Sequence, residues 1–317
     1  MILSTLTSPI ILFFALGMLA GFARSDLAIP EAFAKGMAIY LMAAIGLKGG
    51  VEVSKSGLTD ALLIAGAAGM ALSFLLPLPA FAALRGIGGL KRVDAAAVAA
   101  HYGSVSLVTF ITANEMLKGA GLPAAGFMVA VLALMETPAI ITGLLLARRG
   151  SSDKGASAKG LWHEVLLNAS VVLLIGAFVI GMIAGESGFA PIKPVFDGGY
   201  KGVLCLFLLD MGLIAARRLR ETRALTLRLG LLAIGLPLVN GLIGVVVGSA
   251  LGLDPGTAAM LGVLTASASY IAVPAAMRLA LPEADPGIYL SMSLGITFPF
   301  NIVVNIALIA AVARMMG

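Results

Sequence analysis

Residues Asp94 to Leu117 read D-A-A-A-V-A-A-H-Y-G-S-V-S-L-V-T-F-I-T-A-N-E-M-L, an apolar run long enough to cross a bilayer but polar at its centre. Gly103, Ser104, Val105 and Ser106 occupy that centre. A loosened backbone is tolerated at membrane depth only where it is buried in protein or lines a cavity. A broken membrane helix is therefore predicted here. Gly256 to Ala280 repeats the theme, with Thr265, Ser267 and Ser269 at mid-span and Pro274 expected to interrupt the helix. Two interrupted spans in corresponding halves of a chain point to a transporter's binding site.

The composition around these stretches leaves few other classes open. Of 317 residues, 60% are hydrophobic and 12% charged, far from the usual soluble balance, so the chain reads as an all-α polytopic membrane protein. The first apolar run lacks a basic n-region and a small-residue cleavage site, and is expected to stay as a membrane segment. Two histidines, His101 and His163, and one cysteine, Cys205, give no metalloenzyme pattern and no internal disulfide. The net charge of +5 would suggest nucleic acid in a soluble chain; here the basic residues lie between apolar runs, so no nucleic-acid partner is expected and their role is orientation.

Windows of about twenty residues give ten candidate spans: 5–22, 33–49, 58–84, 94–117, 124–147, 164–185, 199–216, 225–251, 256–280 and 287–313. Segments two and seven are the short ones. Ordered similarities relate the halves. Gly17-Met-Leu-Ala-Gly21 answers Gly181-Met-Ile-Ala-Gly185, and Lys35-Gly36 ten residues before Gly46-Leu47 answers Lys201-Gly202 ten before Gly212-Leu213. Gly126 and Glu136-Thr137-Pro138 align with Gly287 and Thr297-Phe298-Pro299 at one offset. The series predicts two five-helix repeats, 1–147 and 164–317, joined by a linker over 148–163. Because five is odd, the repeats are inverted in the membrane, with helices four and nine discontinuous.

Orientation follows from lysine and arginine. Loops after odd segments, with Lys35, hold fifteen of the twenty-one, while Lys48, Lys55, Lys118, Lys193, Lys201 and Arg314 make up the other side with the termini. Both termini are thus expected outside and the linker in the cytoplasm. Trp162, just past the linker, reads as a headgroup-level anchor.

Several residues could carry chemistry at the breaks. Each second half-helix would begin near mid-membrane with free amides, and two such ends facing each other suit a small anion. Gly103, Ser104, Val105 and Ser106, with Ser267, Ala268, Ser269 and Tyr270, form the predicted substrate-binding set. Ser104, Ser106, Thr265, Ser267 and Glu136, with the exposed carbonyls of the first half-helices, could hold a sodium ion. Small residues that only let helices approach would give a similar pattern. Glu136 is a mid-span carboxylate two residues before Pro138, a functional candidate by its cost alone. His101 and Asp210 are candidates for gating or support. Asn301 and Asn305, four apart, read as helix glue.

At this level the residues resemble the sodium-dependent bicarbonate permeases of the cyanobacterial type. The resemblance covers nearly the whole chain. It rests on Ile29-Pro-Glu-Ala32, Ile45-Gly-Leu-Lys-Gly-Gly50, Val93-Asp-Ala95, Tyr102-Gly-Ser-Val-Ser106, Met135-Glu-Thr-Pro-Ala139 and the stretch from Thr265 to Pro274. It implies ten helices in inverted repeats, a homotrimer, a gate domain of segments one, two, six and seven, and a core domain of the rest. It also implies a bacterial inner-membrane location, a PII-like cytoplasmic regulator, and sodium as coupling ion with no other cofactor. Two departures bear on substrate: Tyr270 stands at the family's acidic position, and Glu136 where those members carry aspartate. The expectation is a secondary transporter importing a small anion, sodium-coupled bicarbonate first and another carboxylate or oxyanion, sodium- or proton-coupled, as the alternative, ahead of an intramembrane enzyme or a passive channel.

Overall fold

A computed structural model describes residues 7–57, 59–148, 169–221 and 225–317, and among these the chain is helical throughout, with no strand. The expected linker lies outside the described residues except for Arg148, as do Trp162 and His163. The helices are α1 (Pro9–Phe22), α2 (Glu31–Ser56), α3 (Asp60–Leu75) running on into α4 (Pro77–Gly86), α5 (Arg92–Gly103) and α6 (Leu107–Gly119). They continue with α7 (Met128–Glu136), α8 (Pro138–Arg148), α9 (Ala169–Phe189), α10 (Tyr200–Glu221), α11 (Leu227–Ala250), α12 (Pro255–Ala266), α13 (Ala272–Ala280) and a final α14 (Pro286–Met316). Among the described residues, seven helical stretches are long and apolar enough to cross a membrane, while α1 and α12 are shorter apolar helices. The chain is an integral membrane protein.

Two expectations about length change. Segment two is not short: α2 has 26 residues, and α10 has 22. The apolar window ended early at Lys48, Glu52 and Lys55, but helix continues through them because Lys48 pairs with Asp197 and Lys55 lies 3.2 Å from Glu186.

Backbone proximity sets how α1, α2, α9 and α10 pack. Several of the glycines that matched between the halves lie at these crossings, whereas Gly36 and Gly202 meet open space. A Cβ on Gly212 would come 2.8 Å from the Met18 amide nitrogen in α1, and one on Gly46 would come 2.8 Å from the Leu174 carbonyl oxygen in α9. Gly17 in turn abuts Leu209 and Leu213, and Gly181 abuts Leu47. So α1 packs along α10 and α2 along α9 in the close manner of small-residue interfaces. Around the other helices, α5 lies between α4 and α8, and α12 between α11 and α14.

Burial singles out the centre. Of the apolar window in Arg92–Gly119, 94% is inside the protein, against 22% for Val172–Phe189, and every residue from Gly256 to Ala266 is buried. The interrupted helices are thus the ones that other helices surround, which is where a broken backbone can be satisfied.

The loop contacts fall into two sets. Arg220 donates to the Gly21 carbonyl, Arg217 reaches Leu27, Arg92 donates to the Leu146 carbonyl at 3.0 Å, and Asp94 accepts from the Asp285 amide at 2.9 Å. In the second set Arg314 donates to the Ala120 carbonyl, Lys201 pairs with Glu115, and the Ala125 amide donates to Thr257 Oγ1 at 3.0 Å.

Candidate functional site

The first interruption is three residues long. Helix α5 stops at Gly103, Ser104 and Ser106 are extended, and α6 starts at Leu107. Gly103 has an ordinary helical φ, so it is not there to loosen the chain. A Cβ on it would come 2.6 Å from Pro77 Cδ and 3.0 Å from the Ala139 side chain, so only glycine lets α4 and α8 close on this point. Ser106 begins the next helix, its Oγ accepting from the Thr109 amide at 3.2 Å and from the Thr109 hydroxyl at 3.0 Å.

The second interruption runs from Ser267 to Ile271, and α13 starts at Ala272. Pro274 does not cause it. The break precedes the proline, which sits in the first turn of α13, where a missing N–H costs nothing because the helix has no acceptor for it. Ser269 Oγ accepts the Val273 amide weakly, at 3.4 Å.

The two breaks meet and satisfy each other. The Ser106 amide donates to Ser267 Oγ at 2.9 Å, and the Ser269 amide donates to the His101 carbonyl at 3.0 Å. Ser267 Oγ passes its own proton to the Leu264 carbonyl at 2.7 Å. Asparagines hold the last carbonyls of both first half-helices: Asn240 donates to Tyr102 O at 3.2 Å, and Asn301 to Ala266 O at 2.9 Å. The Tyr102 and Ala266 carbonyls therefore each carry a protein donor already, which leaves one lone pair apiece. Asn301 does more than glue helices, since it caps a break. Asn305 supports it, donating to Asn301 Oδ1 at 2.9 Å.

Helices alongside complete the frame. Segment five is itself interrupted at Thr137, and the Met135 and Glu136 carbonyls freed next to Pro138 accept from Ser73 at 2.7 Å and Ser104 at 2.9 Å. Tyr102 donates to Thr297 Oγ1 at 2.6 Å, and Thr297 donates to the Ala233 carbonyl at 2.6 Å. His101 Nδ1 lies 2.7 Å from the Ala97 carbonyl, which assigns the proton to Nδ1 and leaves Nε2 as an acceptor. Nε2 is buried without a hydrogen-bond partner among the described residues, and the ring stacks on Tyr289 with centroids 4.6 Å apart.

The predicted residues thus separate into groups. Gly103, Ser104, Val105, Ser106, Ser267, Ala268, Ser269 and Tyr270 are brought together, all buried. The Tyr270 hydroxyl is enclosed and lies toward Ser106 without a well-formed hydrogen bond to it. Its ring meets Phe298 edge-on at 5.4 Å, and Phe298 meets Phe14 of α1 at 5.5 Å. Thr265 turns away: its hydroxyl bonds back to Leu261 and Gly262 and faces Gly244 of α11, because two residues before Ser267 is more than half a turn of helix. The Glu136 side chain is half-buried and makes no hydrogen bond or ion pair among the described residues. Asp210 is buried in α10 and is likewise bonded to neither break among the described residues. Asn240, Tyr102 and Thr297 were not among the expected site residues. Asn240, a lone amide in an apolar span three residues past Pro237, was the available signal.

Comparison with curated proteins gives no match. The sequence model of the Na+-dependent bicarbonate transporter superfamily matches residues 9–314, nearly the whole chain. With both breaks and their supports inside that range, the chain belongs to the Na+-dependent bicarbonate transporter superfamily.

Proposed function

We propose that the protein imports bicarbonate with sodium by alternating access, and that the crossed breaks form the substrate site. The observation that carries this reading is the mutual bonding of Ser106 with Ser267 and Ser269 with His101 in the most buried part of the bundle. It holds the α6 N-terminus open toward the crossing, where the first-turn amides of Leu107 and Val108 have no carbonyl within their own helix. A small anion would accept from these amides. Sodium would take lone pairs of Ser104, Ser106, Ser267 and nearby carbonyls, with Glu136 alongside. Thr265 is left out of that set.

Ten spans in two inverted repeats, with both termini outside, is the topology we infer. The paired glycine crossings, α1 with α10 and α2 with α9, support the duplication, since each joins a helix of one half to its counterpart's neighbour in the other. The two sets of loop contacts support the inversion. Every residue in the first set follows an odd span or leads into an even one, and every residue in the second set belongs to the opposite side. Helices α1, α2, α9 and α10 would be the gate, and the remainder, which carries the breaks, the moving core. A homotrimer built on the gate helices, a PII-like regulator at the cytoplasmic face and a bacterial inner-membrane location accompany this proposal.

A second substrate reading has its own observation. The enclosed Tyr270 hydroxyl, without a hydrogen-bond partner among the described residues, is a donor beside the crossing, and it would suit another small carboxylate or oxyanion. Uptake of labelled bicarbonate into proteoliposomes, with and without an inward sodium gradient and with acetate and sulfate as competitors, separates the two. Sodium-driven bicarbonate accumulation is expected; accumulation of a different anion alone would discard bicarbonate. Under the same assay Glu136→Gln should lower sodium-driven uptake while the protein stays folded, and wild-type sodium dependence in that variant would return Glu136 to a purely structural part.

A further inference from the structure

A stripe on α6 leads away from the first break. Ser106, Phe110, Asn114 and Lys118 follow one another at intervals of four, so they climb one flank of the helix over about 18 Å. The upper three line a cleft of about 450 Å³ at the end of the bundle that carries Lys118 and Asp254. Its opposite wall is a face of α2 with Ile45, Lys48 and Glu52, spaced three and four apart as one helical face requires. Phe110 is 2% exposed and stands between the cleft and Ser106. Lys48 is held by Asp197 and by the Tyr200 ring, 4.2 Å from its Nζ. Asp254 is held by the Thr257 amide at 3.0 Å. Lys118 is exposed at the mouth and makes no ion pair among the described residues, and Asn114 below it makes no hydrogen bond among them.

The geometry points to this cleft as an outer docking site for a small oxyanion, with the Lys118 ammonium and Asn114 amide as its donors and Phe110 as the floor closing the way to the crossing. This rests on the transport reading for direction, because the cleft lies on the face assigned outward. Glu52 and Asp254 set two carboxylates on the other walls of the cleft, so an anion is drawn to the Lys118 and Asn114 wall alone and is handed inward without being held tightly. The second wall belongs to α2, so movement of core against gate would reshape the cleft as Phe110 uncovers the break.

The test uses the intact protein with Cys205→Ser and Asn114→Cys, labelled from outside by an anionic and a cationic methanethiosulfonate reagent. The anionic reagent should react faster, and adding Lys118→Glu should reduce the anionic-to-cationic rate ratio by about tenfold. Lys55→Glu, at the same end but outside the cleft, is the control for general surface charge and should move the ratio much less. The same Lys118→Glu change should raise the KM for the transported anion more than it lowers the maximal rate. No labelling of Asn114→Cys from outside, or an equal response to Lys55→Glu and Lys118→Glu, would overturn the proposal. Because the labelling ratio does not depend on which anion is carried, a failed bicarbonate assay with an intact ratio would reject the named substrate and keep the docking site.

Discussion

The two interruptions answer each other but are not copies. The first is short, tightly enclosed and capped: glycine at 103 admits Pro77, and Ser106 takes both the amide and the hydroxyl of Thr109. The second is longer and has a weaker cap at Ser269. Its helix offers fewer amides, since Val273 is bonded and Pro274 has none. What the second contributes is side chains: Ser267, which receives the first break's amide, and Tyr270, whose hydroxyl is unspent. On the proposed function, the inequality would put backbone recognition of an anion at the first break and selectivity at the second.

Exchanging the residues that precede the breaks tests the enclosure most severely. Gly103→Ala should overpack against Pro77 and Ala139, costing about 1–3 kcal/mol and abolishing uptake. Ala266→Gly, its counterpart, should cost about 1 kcal/mol, the ordinary penalty of a helical glycine. Thermal unfolding in detergent reads both, and equal losses would erase the distinction between the breaks.

An effect of similar size or smaller is expected at the serines. Ser267→Ala leaves the buried Ser106 amide without an acceptor and should cost about 1–3 kcal/mol with a large fall in uptake. For Ser104→Ala the group left behind is the Glu136 carbonyl, and an orphaned carbonyl is tolerated better than an orphaned amide, so a loss of about 1 kcal/mol is expected. A larger loss from Ser104→Ala than from Ser267→Ala would move the centre of the site to the first break alone.

The mildest change is Tyr270→Phe. Removing an enclosed hydroxyl with no partner should leave thermal stability equal or slightly higher, while the KM for the anion rises because a donor is gone. Unaltered KM together with unaltered anion preference would take Tyr270 out of the site.

Much of this was legible before any coordinates. The breaks were visible because hydroxyls and glycine at mid-span have no place in lipid, and several helix crossings because close approach demands glycine. Reach was harder to read. Helix α2 runs past its apolar window because Lys48 and Lys55 find partners on α9 and the segment after it, which a hydropathy window cannot see. Thr265 and Ser267 differ by two residues and by more than half a turn of helix, so one faces α11 and the other the crossing. Pro274 misled because a proline that starts a helix and one that breaks it look alike in sequence. The roles of Asn240 and Asn301 depend on which carbonyls lie opposite them, and that is a property of packing alone.

The crossing also bears on how the chain is made. Ser106 waits for a hydroxyl 161 residues further along, Tyr102 O for an amide 138 residues on, and the Tyr102 hydroxyl for a threonine 195 residues on. At ribosomal speeds that is an interval of roughly seven to forty seconds in which the helices through α8 are made while these polar groups still lack their later partners. The first half must therefore be held in a provisional state, with water or lipid headgroups reaching the gap, until its partner arrives. Expressed alone it should be degraded, and co-expressed with the second half as a separate chain it should be rescued.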